Sequence, residues 1–349
     1  MNPKAILILR TSALGDVVMA SPLAEGVRRK FPSARICWLV EPQVSELLQH
    51  HPALDTLLIL PKTHWKNLAK TGQFWVLFKE LRNFFKMLRR ERFDLAIDAQ
   101  GLLRTRILAW ISGASQRIGI ASREPGGCLM TRLITEETST GEMGSEYFML
   151  LDAMDVENTQ LSQTIHLSSS DIGKAEELLA DNGITDPFAV FVPFTTRPQK
   201  HWFKQQWTQL SHDVIRHLGL KLVWLGGPDD ASSAAMLAAD GGGVSLAGKC
   251  SIGLSTAVIS RAALLVGVDT GMTHAGTALG IPTIALFGAT CPYRKTRSPR
   301  TAVVYHERPC SPCRRRPTCD GRFDCMHDIT SSEVLQIASY LTGLGRVTE

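Results

Sequence analysis

The run Leu264-Leu265-Val266-Gly267-Val268 contains no polar residue and gives way at once to Asp269-Thr270-Gly271-Met272-Thr273-His274, followed by small residues over 275–280. An apolar run of this length is too short for a helix and predicts a strand buried on both faces. The Asp-Thr-Gly step then turns the chain into a helix whose early positions carry Thr273 and His274. Such a strand–turn–helix unit leaves backbone N–H groups unpaired beyond the strand's carboxyl end, where the helix dipole adds positive potential. The stretch therefore predicts a site for an anion such as a pyrophosphate. Hydroxyls of Thr270 and Thr273 and the His274 imidazole would add donors around Gly271. The alternative is that Asp269, Thr270 and Gly271 only turn the chain.

The same alternation runs through the whole sequence. At 349 residues the chain is too long for one ordinary core, which predicts two domains. Strands are expected at 5–9, 36–40, 56–60 and 93–98, with a short helix at 44–49 and a long amphipathic helix over 74–91. Residues 135–170 are polar and weakly patterned, with a helix over 143–154, and another helix leads to about 182. Strands return at 188–192, 221–225, 244–246, 264–268 and 283–287, separated by helices at 205–218, through 238 and at 254–261. This predicts an α/β fold of two Rossmann-like, doubly wound domains. The expected division is 1–170 and 171–330, with a terminal helix within 331–349.

The first loop, Arg10-Thr11-Ser12-Ala13-Leu14-Gly15-Asp16, has only one glycine and lacks the G-x-G-x-x-G fingerprint, which argues against a classical nicotinamide cofactor. Asp16 stands instead at the carboxyl end of the first strand, as a helix N-cap or as a chemical group. Hydrophobic residues at 44% and charged residues at 20% indicate a soluble protein. No apolar run reaches the roughly 18 residues of a membrane span, and nothing resembles a cleavable signal peptide. The net charge of +5 favours anionic partners without naming one. Arg82, Lys86, Arg89, Arg90 and Arg92 gather on one segment, as a solvated helix face or as a contact for an anionic membrane or lipid surface.

Four segments taken in order, 11–16, Asp98-Ala99-Gln100-Gly101-Leu102, Thr195-Thr196-Arg197 with Lys200-His201-Trp202, and Val268-Asp269-Thr270-Gly271 with His274, resemble the ADP-heptose:lipopolysaccharide heptosyltransferases of glycosyltransferase family 9. The Asp-Ala-Gln-Gly segment and Arg123-Glu124-Pro125 look most like the heptosyltransferase I branch. The resemblance implies a GT-B fold, with Rossmann-like domains facing across a cleft, the donor mostly on the C-terminal one and the last helix crossing back. It implies inverting transfer of heptose from ADP-L-glycero-D-manno-heptose to a Kdo or heptose of the lipopolysaccharide inner core, at the cytoplasmic face of the inner membrane. Asp16 matches the family's base, and Lys200 is expected to stabilise the departing diphosphate with Thr195 and Thr196. Asp269, being negative, is expected to accept from heptose hydroxyls. Asp229 or Asp230 would contact a ribose, or would be a surface aspartate. Lys66 and Arg123 match acceptor-binding positions, while Thr63, His64 and Asn67 stand where the family is more basic. No divalent ion is required on this reading, and no nucleic acid is a partner.

Cys310, Cys313, Cys319 and Cys325 fall within sixteen residues, whereas Cys37, Cys128, Cys250 and Cys291 are scattered. Clustered thiols in a reducing compartment predict a structural zinc or iron site, with reduced structural cysteines and disulfides as alternatives. The cluster resembles one in family branches that heptosylate autotransporter proteins. A protein O-heptosyltransferase is therefore an alternative reading, and a non-catalytic sugar-nucleotide-binding protein is another. The presence of both Asp16 and Lys200 argues against the latter.

Overall fold

Two six-stranded parallel sheets carry the chain. They are seen in a computed structural model that describes residues 3–135, 141–313 and 316–345. The first sheet comprises β1 (Ala5–Leu9), β2 (Arg35–Val40), β3 (Thr56–Ile59), β4 (Leu95–Asp98), β5 (Gln116–Ile120) and β6 (Arg132–Ile134), in the order β3-β2-β1-β4-β5-β6. The second comprises β7 (Phe188–Val192), β8 (Lys221–Trp224), β9 (Val244–Ser245), β10 (Leu264–Val268), β11 (Thr283–Phe287) and β12 (Thr301–Tyr305), in the order β12-β11-β10-β7-β8-β9. Each sheet starts in its middle, winds outward on one side, then reverses to the other side. That is the doubly wound plan expected from the alternation.

Helices supply the crossovers. They are α1 (Leu14–Ala20), α2 (Pro22–Lys30), α3 (Lys62–Lys70), α4 (Phe74–Arg90), α5 (Leu103–Ile111), α6 (Ser145–Asp152), α7 (Ser169–Asp181), α8 (Lys204–Asp213), α9 (Ala231–Gly241), α10 (Ile252–Ser260), α11 (Gly271–Ala278), α12 (Asp324–His327) and α13 (Ser331–Thr342). None is long and apolar enough to cross a membrane, among the described residues. The central strands β1, β7 and β10 are buried along their full length, which is why they read as unbroken apolar runs. The outer strands β5, β6 and β12 went unpredicted because they carry residues such as Gln116, Arg117 and Arg132 and are only partly buried. The expected helix at 44–49 is a 3-10 turn over Pro42–Leu47.

The chain divides into two compact units, Met1–Thr140 with Gly144–His166, and Gly141–Met143 with Leu167–Glu349. The main boundary falls at 166/167, four residues before the expected one. Three residues of the earlier sequence also belong to the second unit. There Glu142 bridges Lys295 in parallel fashion, Met143 N donates to Lys295 O at 2.9 Å, and Arg297 Nε meets Glu142 Oε1 at 3.2 Å. The terminal helix, expected to cross back, packs within the second unit against α8, β11 and β12. Val334 and Ala338 are fully buried on that side, and Ser331 N donates to Gln206 Oε1 at 3.0 Å. Residues 346–349 lie outside the described residues, as do 136–140 of the weakly patterned segment.

In the first unit His51 is buried edge-on to His166, ring centroids 4.9 Å apart. Burial, together with the neighbouring imidazole, lowers its pKa to about 4. The ring is therefore neutral at ordinary pH.

Candidate active site

In a doubly wound sheet, neighbouring strands whose crossovers leave in opposite directions open a crevice at their carboxyl ends. In the first unit these strands are β1 and β4; in the second they are β7 and β10. Register brings the paired ends level, Leu9 beside Asp98 and Gly267 beside Val192. Most of the side chains singled out in the sequence leave from these four strand ends.

Beyond β1, Thr11 is buried and its hydroxyl donates to Gln100 Oε1 at 2.8 Å, while Gln100 Nε2 donates to Ser12 O at 3.3 Å. Gln100 is placed in turn by Asp98, whose Oδ1 accepts from the N–H groups of Gln100 and Gly101 at 3.0 and 3.1 Å. Burial raises the Asp98 carboxyl pKa against those bonds. The two loops are thereby laced together at the switch point. Asp16 is not the N-cap of α1. Ala13 occupies that position, and Asp16 stands three residues on, its Oδ2 accepting from Ala13 N at 3.2 Å. The same oxygen pairs with the Arg10 guanidinium, which is nearly buried over the Tyr147 ring at 5.7 Å and also donates to Ala99 O at 3.2 Å. The Asp16 side chain is 39% exposed. A carboxylate fixed on one side by a guanidinium and a backbone N–H keeps its remaining lone pairs for a proton from outside.

The second switch point is built differently. Asp269 is buried, with Lys200 Nζ 2.6 Å from Oδ2 and His274 Nε2 3.4 Å from Oδ1. Thr290 Oγ1 also donates to Oδ2. Burial alone would raise this carboxyl's pKa; the His274 hydrogen bond and the His274 and Lys200 charges outweigh it and hold the group well below the usual range. His274 Nδ1 lies 2.8 Å from the Tyr293 hydroxyl, whose pKa burial and the Asp269 charge push far up. Tyr293 thus stays neutral and fixes the imidazole from behind. Lys200 ends a short 3-10 turn, Pro198–Lys200, after β7, and the turn is braced by His201 Nε2 at 2.9 Å from Thr195 O.

The strand–turn–helix unit expected to receive an anion is present, with α11 starting directly after β10. Thr270 is its N-cap and makes no capping bond through its side chain, so its hydroxyl and the N–H groups of Gly271 and Met272 are available beyond β10, whereas Thr273 N already donates to Thr270 O at 3.1 Å. Thr273 corrects an expectation. Its hydroxyl is fully buried and donates to Val268 O at 2.6 Å, so it ties α11 to β10 instead of offering a donor to a ligand. Gly267 makes that contact possible: a Cβ there would stand 2.2 Å from Thr273 Oγ1. His274 is likewise engaged on both ring nitrogens. Thr195 donates to Asp269 O at 3.4 Å, and Thr196 is exposed on the same loop.

The other predicted positions are not gathered into either cluster. Asp230 accepts from Gly227 N at 2.8 Å and shapes the turn after β8, leaving Asp229 exposed at that strand's end. Lys66 is exposed on α3 and Arg123 in the loop after β5. Arg10, Thr290 and Tyr293 went unpredicted. Arg10 adjoins a quoted motif, but the other two lie some twenty residues from the groups they hold, with no local pattern to mark them.

All four clustered cysteines are free, with Cys319 and Cys325 buried. Burial raises the pKa of Cys313 and Cys325, and the other thiols of the cluster add to it. Among the described residues, however, no group of three or more His, Cys, Asp or Glu is arranged to hold a metal. Arg314 and Arg315, which lie between Cys313 and Cys319, are outside the described residues.

Comparison with known proteins agrees with this layout. The family model for glycosyltransferase family 9 (heptosyltransferase) matches residues 81–323. Lipopolysaccharide heptosyltransferase 1 of Pseudomonas aeruginosa is 31% identical over 322 residues, covering 90% of this chain and 87% of that protein. Among solved structures, a glycosyl transferase family 9 protein from Veillonella parvula superposes with a TM-score of 0.81 at 21% identity, covering 97% of both chains. E. coli heptosyltransferase WaaC with ADP-2-deoxy-2-fluoro heptose gives 0.72 at 21% identity, covering 96% of this chain and 99% of that one. The paired parallel sheets are thus those of the GT-B heptosyltransferase structures.

Proposed function

The chain belongs to glycosyltransferase family 9, the heptosyltransferases, and from that premise we propose that it moves heptose from ADP-L-glycero-D-manno-heptose to the inner core of lipopolysaccharide with inversion at the anomeric carbon. Support for the acceptor comes from the relative named lipopolysaccharide heptosyltransferase 1, which matches along most of its length. The observation that carries the donor half is the Lys200 ammonium at the β7/β10 switch point, where the α11 amino terminus also lies.

In this reaction the acceptor hydroxyl oxygen bonds to the anomeric carbon as the bond from that carbon to the β-phosphate oxygen breaks. Asp16 takes the hydroxyl proton, a role suited to a half-exposed carboxylate that Arg10 and Ala13 N hold in one orientation. ADP leaves with the bonding pair, and the added charge meets Lys200, the hydroxyls of Thr195, Thr196 and Thr270, and the first N–H groups of α11. Asp269 holds Lys200 in place before the donor arrives, besides any contact to sugar hydroxyls. Asp229 serves the ribose, while Lys66 and Arg123 serve carboxylates and phosphates of the acceptor. Those anionic lipids place the enzyme at the cytoplasmic surface of the inner membrane.

Catalysis on this reading needs no divalent ion, since an ammonium and a helix terminus already face the diphosphate; full turnover in a chelator would support that. The cysteines as they stand do not form a coordination set, and no step passes through them. A structural zinc or iron at Cys310, Cys313, Cys319 and Cys325 is a separate proposal, supported by the crowding of the thiols. Stoichiometric metal in anaerobically purified protein would support it, and its lack would sink it.

The deciding assay is ADP release from ADP-heptose with Kdo2-lipid A, a heptosylated core, an autotransporter protein or no acceptor. Release dependent on a lipid acceptor supports the proposal and fixes the core position. Release only with the protein acceptor, or none with any, overturns it.

A further inference from the structure

Helix α4 begins with an apolar tip that the described residues leave largely uncovered. Trp75 is 79% exposed, Phe74 66% and Phe78 59%, and the Trp75 and Phe78 rings stack with centroids 6.1 Å apart. Its inner face is satisfied separately by Phe84 and Leu88, which are buried in the core of the first unit. The aromatic tip is therefore not needed for packing. From Trp75 and Phe78 a single stripe continues at helical spacing through Arg82, Lys86 and Arg89. An apolar groove of about 500 Å³ runs along it, between Phe78, Leu81, Phe85 and Ile111 and the stems of Arg82 and Lys86.

Charge decides what such a stripe can meet. Among the described residues, Lys79, Arg82, Lys86 and Arg90 have no ion-pair partner, and all four are exposed. The nearby carboxylates are turned to other work: Glu80 holds His64 and Trp65 Nε1, each at 3.1 Å, and Glu91 pairs with Arg35 at 2.6 Å. A second copy of the chain would bring the same unpaired cations face to face. An anionic bilayer answers both features, since aromatic rings settle at headgroup depth while Lys and Arg extend from apolar stems to lipid phosphates.

We propose that α4 is a membrane-docking helix, with Phe74, Trp75 and Phe78 entering the headgroup region of an anionic phospholipid surface and Lys79, Arg82, Lys86 and Arg90 binding its phosphates. The inference names the surface that serves the lipid-acceptor reading above and rests on that reading for its purpose, not for its geometry. It is tested with vesicles that contain no acceptor glycolipid, so a failed acceptor assay and a failed docking assay are separate results.

The full-length protein is sedimented with phosphatidylcholine vesicles with and without about one-third phosphatidylglycerol. Binding is expected only to the anionic vesicles and to disappear in high salt. The double variants Trp75→Ser/Phe78→Ser and Arg82→Gln/Lys86→Gln should each bind at least about tenfold more weakly, with unchanged melting temperature and ADP affinity. Trp75→Phe should keep the binding but lose most of the vesicle-induced blue shift in tryptophan emission. No binding of the wild type to anionic vesicles would overturn the proposal. So would undiminished binding by both double variants, or an unchanged blue shift in Trp75→Phe. A wild-type dimer in sedimentation that Trp75→Ser/Phe78→Ser dissolves would assign the face to a second copy instead.

Discussion

The two switch points share a position in the same strand order and treat a carboxylate in opposite ways. Asp16, at the end of β1, is 39% exposed and answers to one guanidinium and one N–H. Asp269, at the end of β10, is buried beneath an ammonium, an imidazole and a hydroxyl. The first has spare lone pairs and access to a reactant. The second has neither in abundance, and its charge serves to collect cations and donors around the α11 terminus. Beside each switch point a carboxylate follows a different strand: Asp16, after the first strand of its sheet, keeps open bonding capacity, while Asp269, after the fourth strand of its own, has most of it consumed by the surrounding side chains.

The contrast would break most visibly at Asp16. Asp16→Asn should lower kcat about a thousandfold with little change in melting temperature, read by ADP release and calorimetry on the same preparation. Asp269→Asn should do the reverse in kind. Removing one member of a buried pair costs about 3–5 kcal/mol, so a large fall in the unfolding midpoint is expected in denaturant titration. Equal losses of stability in the two variants would erase the distinction drawn here.

A third outcome concerns the first unit alone. An unfolded histidine takes a proton near its ordinary value of about 6.5, whereas folded His51 resists until about 4. The unfolded state therefore binds more protons in that window, and stability is lost as pH falls from about 6.5 to about 4, by about 3 kcal/mol. His51→Asn should flatten that part of the stability profile; an unchanged slope would show that the His51–His166 contact is not its source. The smallest effect sharpens the second switch point. Thr273→Val should cost about 1–2 kcal/mol of stability and leave the KM for ADP-heptose unchanged, since the hydroxyl is bonded inward. A raised KM would return Thr273 to the donor site.

The sequence showed the central strands well because burial on both faces removes every polar residue from them, as in Ala5–Leu9 and Leu264–Val268. Outer strands such as Arg132–Ile134 lack that signature, since solvent tolerates an arginine in them. Where a motif follows a strand end, as with Asp16, Lys200, Asp269 and Thr270, its position in the fold was legible. The site was not legible where a partner arrives through space. Nothing local to Thr290 or Tyr293 announces that they would meet Asp269 and His274. Thr273 was misread for a related reason: composition shows a hydroxyl, and only the missing Cβ of Gly267 shows which way it turns.

The path of the chain between the units bears on how the protein could be divided. It changes unit at 140/141, 143/144 and 166/167, so Gly141–Met143 lies among residues of the second unit while being encoded with the first. Two fragments expressed from a break after residue 166 would not be self-sufficient modules. The C-terminal fragment would lack the Glu142 carboxylate that meets Arg297 and the Met143 N–H that bonds Lys295 O. The N-terminal fragment would carry that same piece near its tail, as a ready-made clasp for reassembling the split protein.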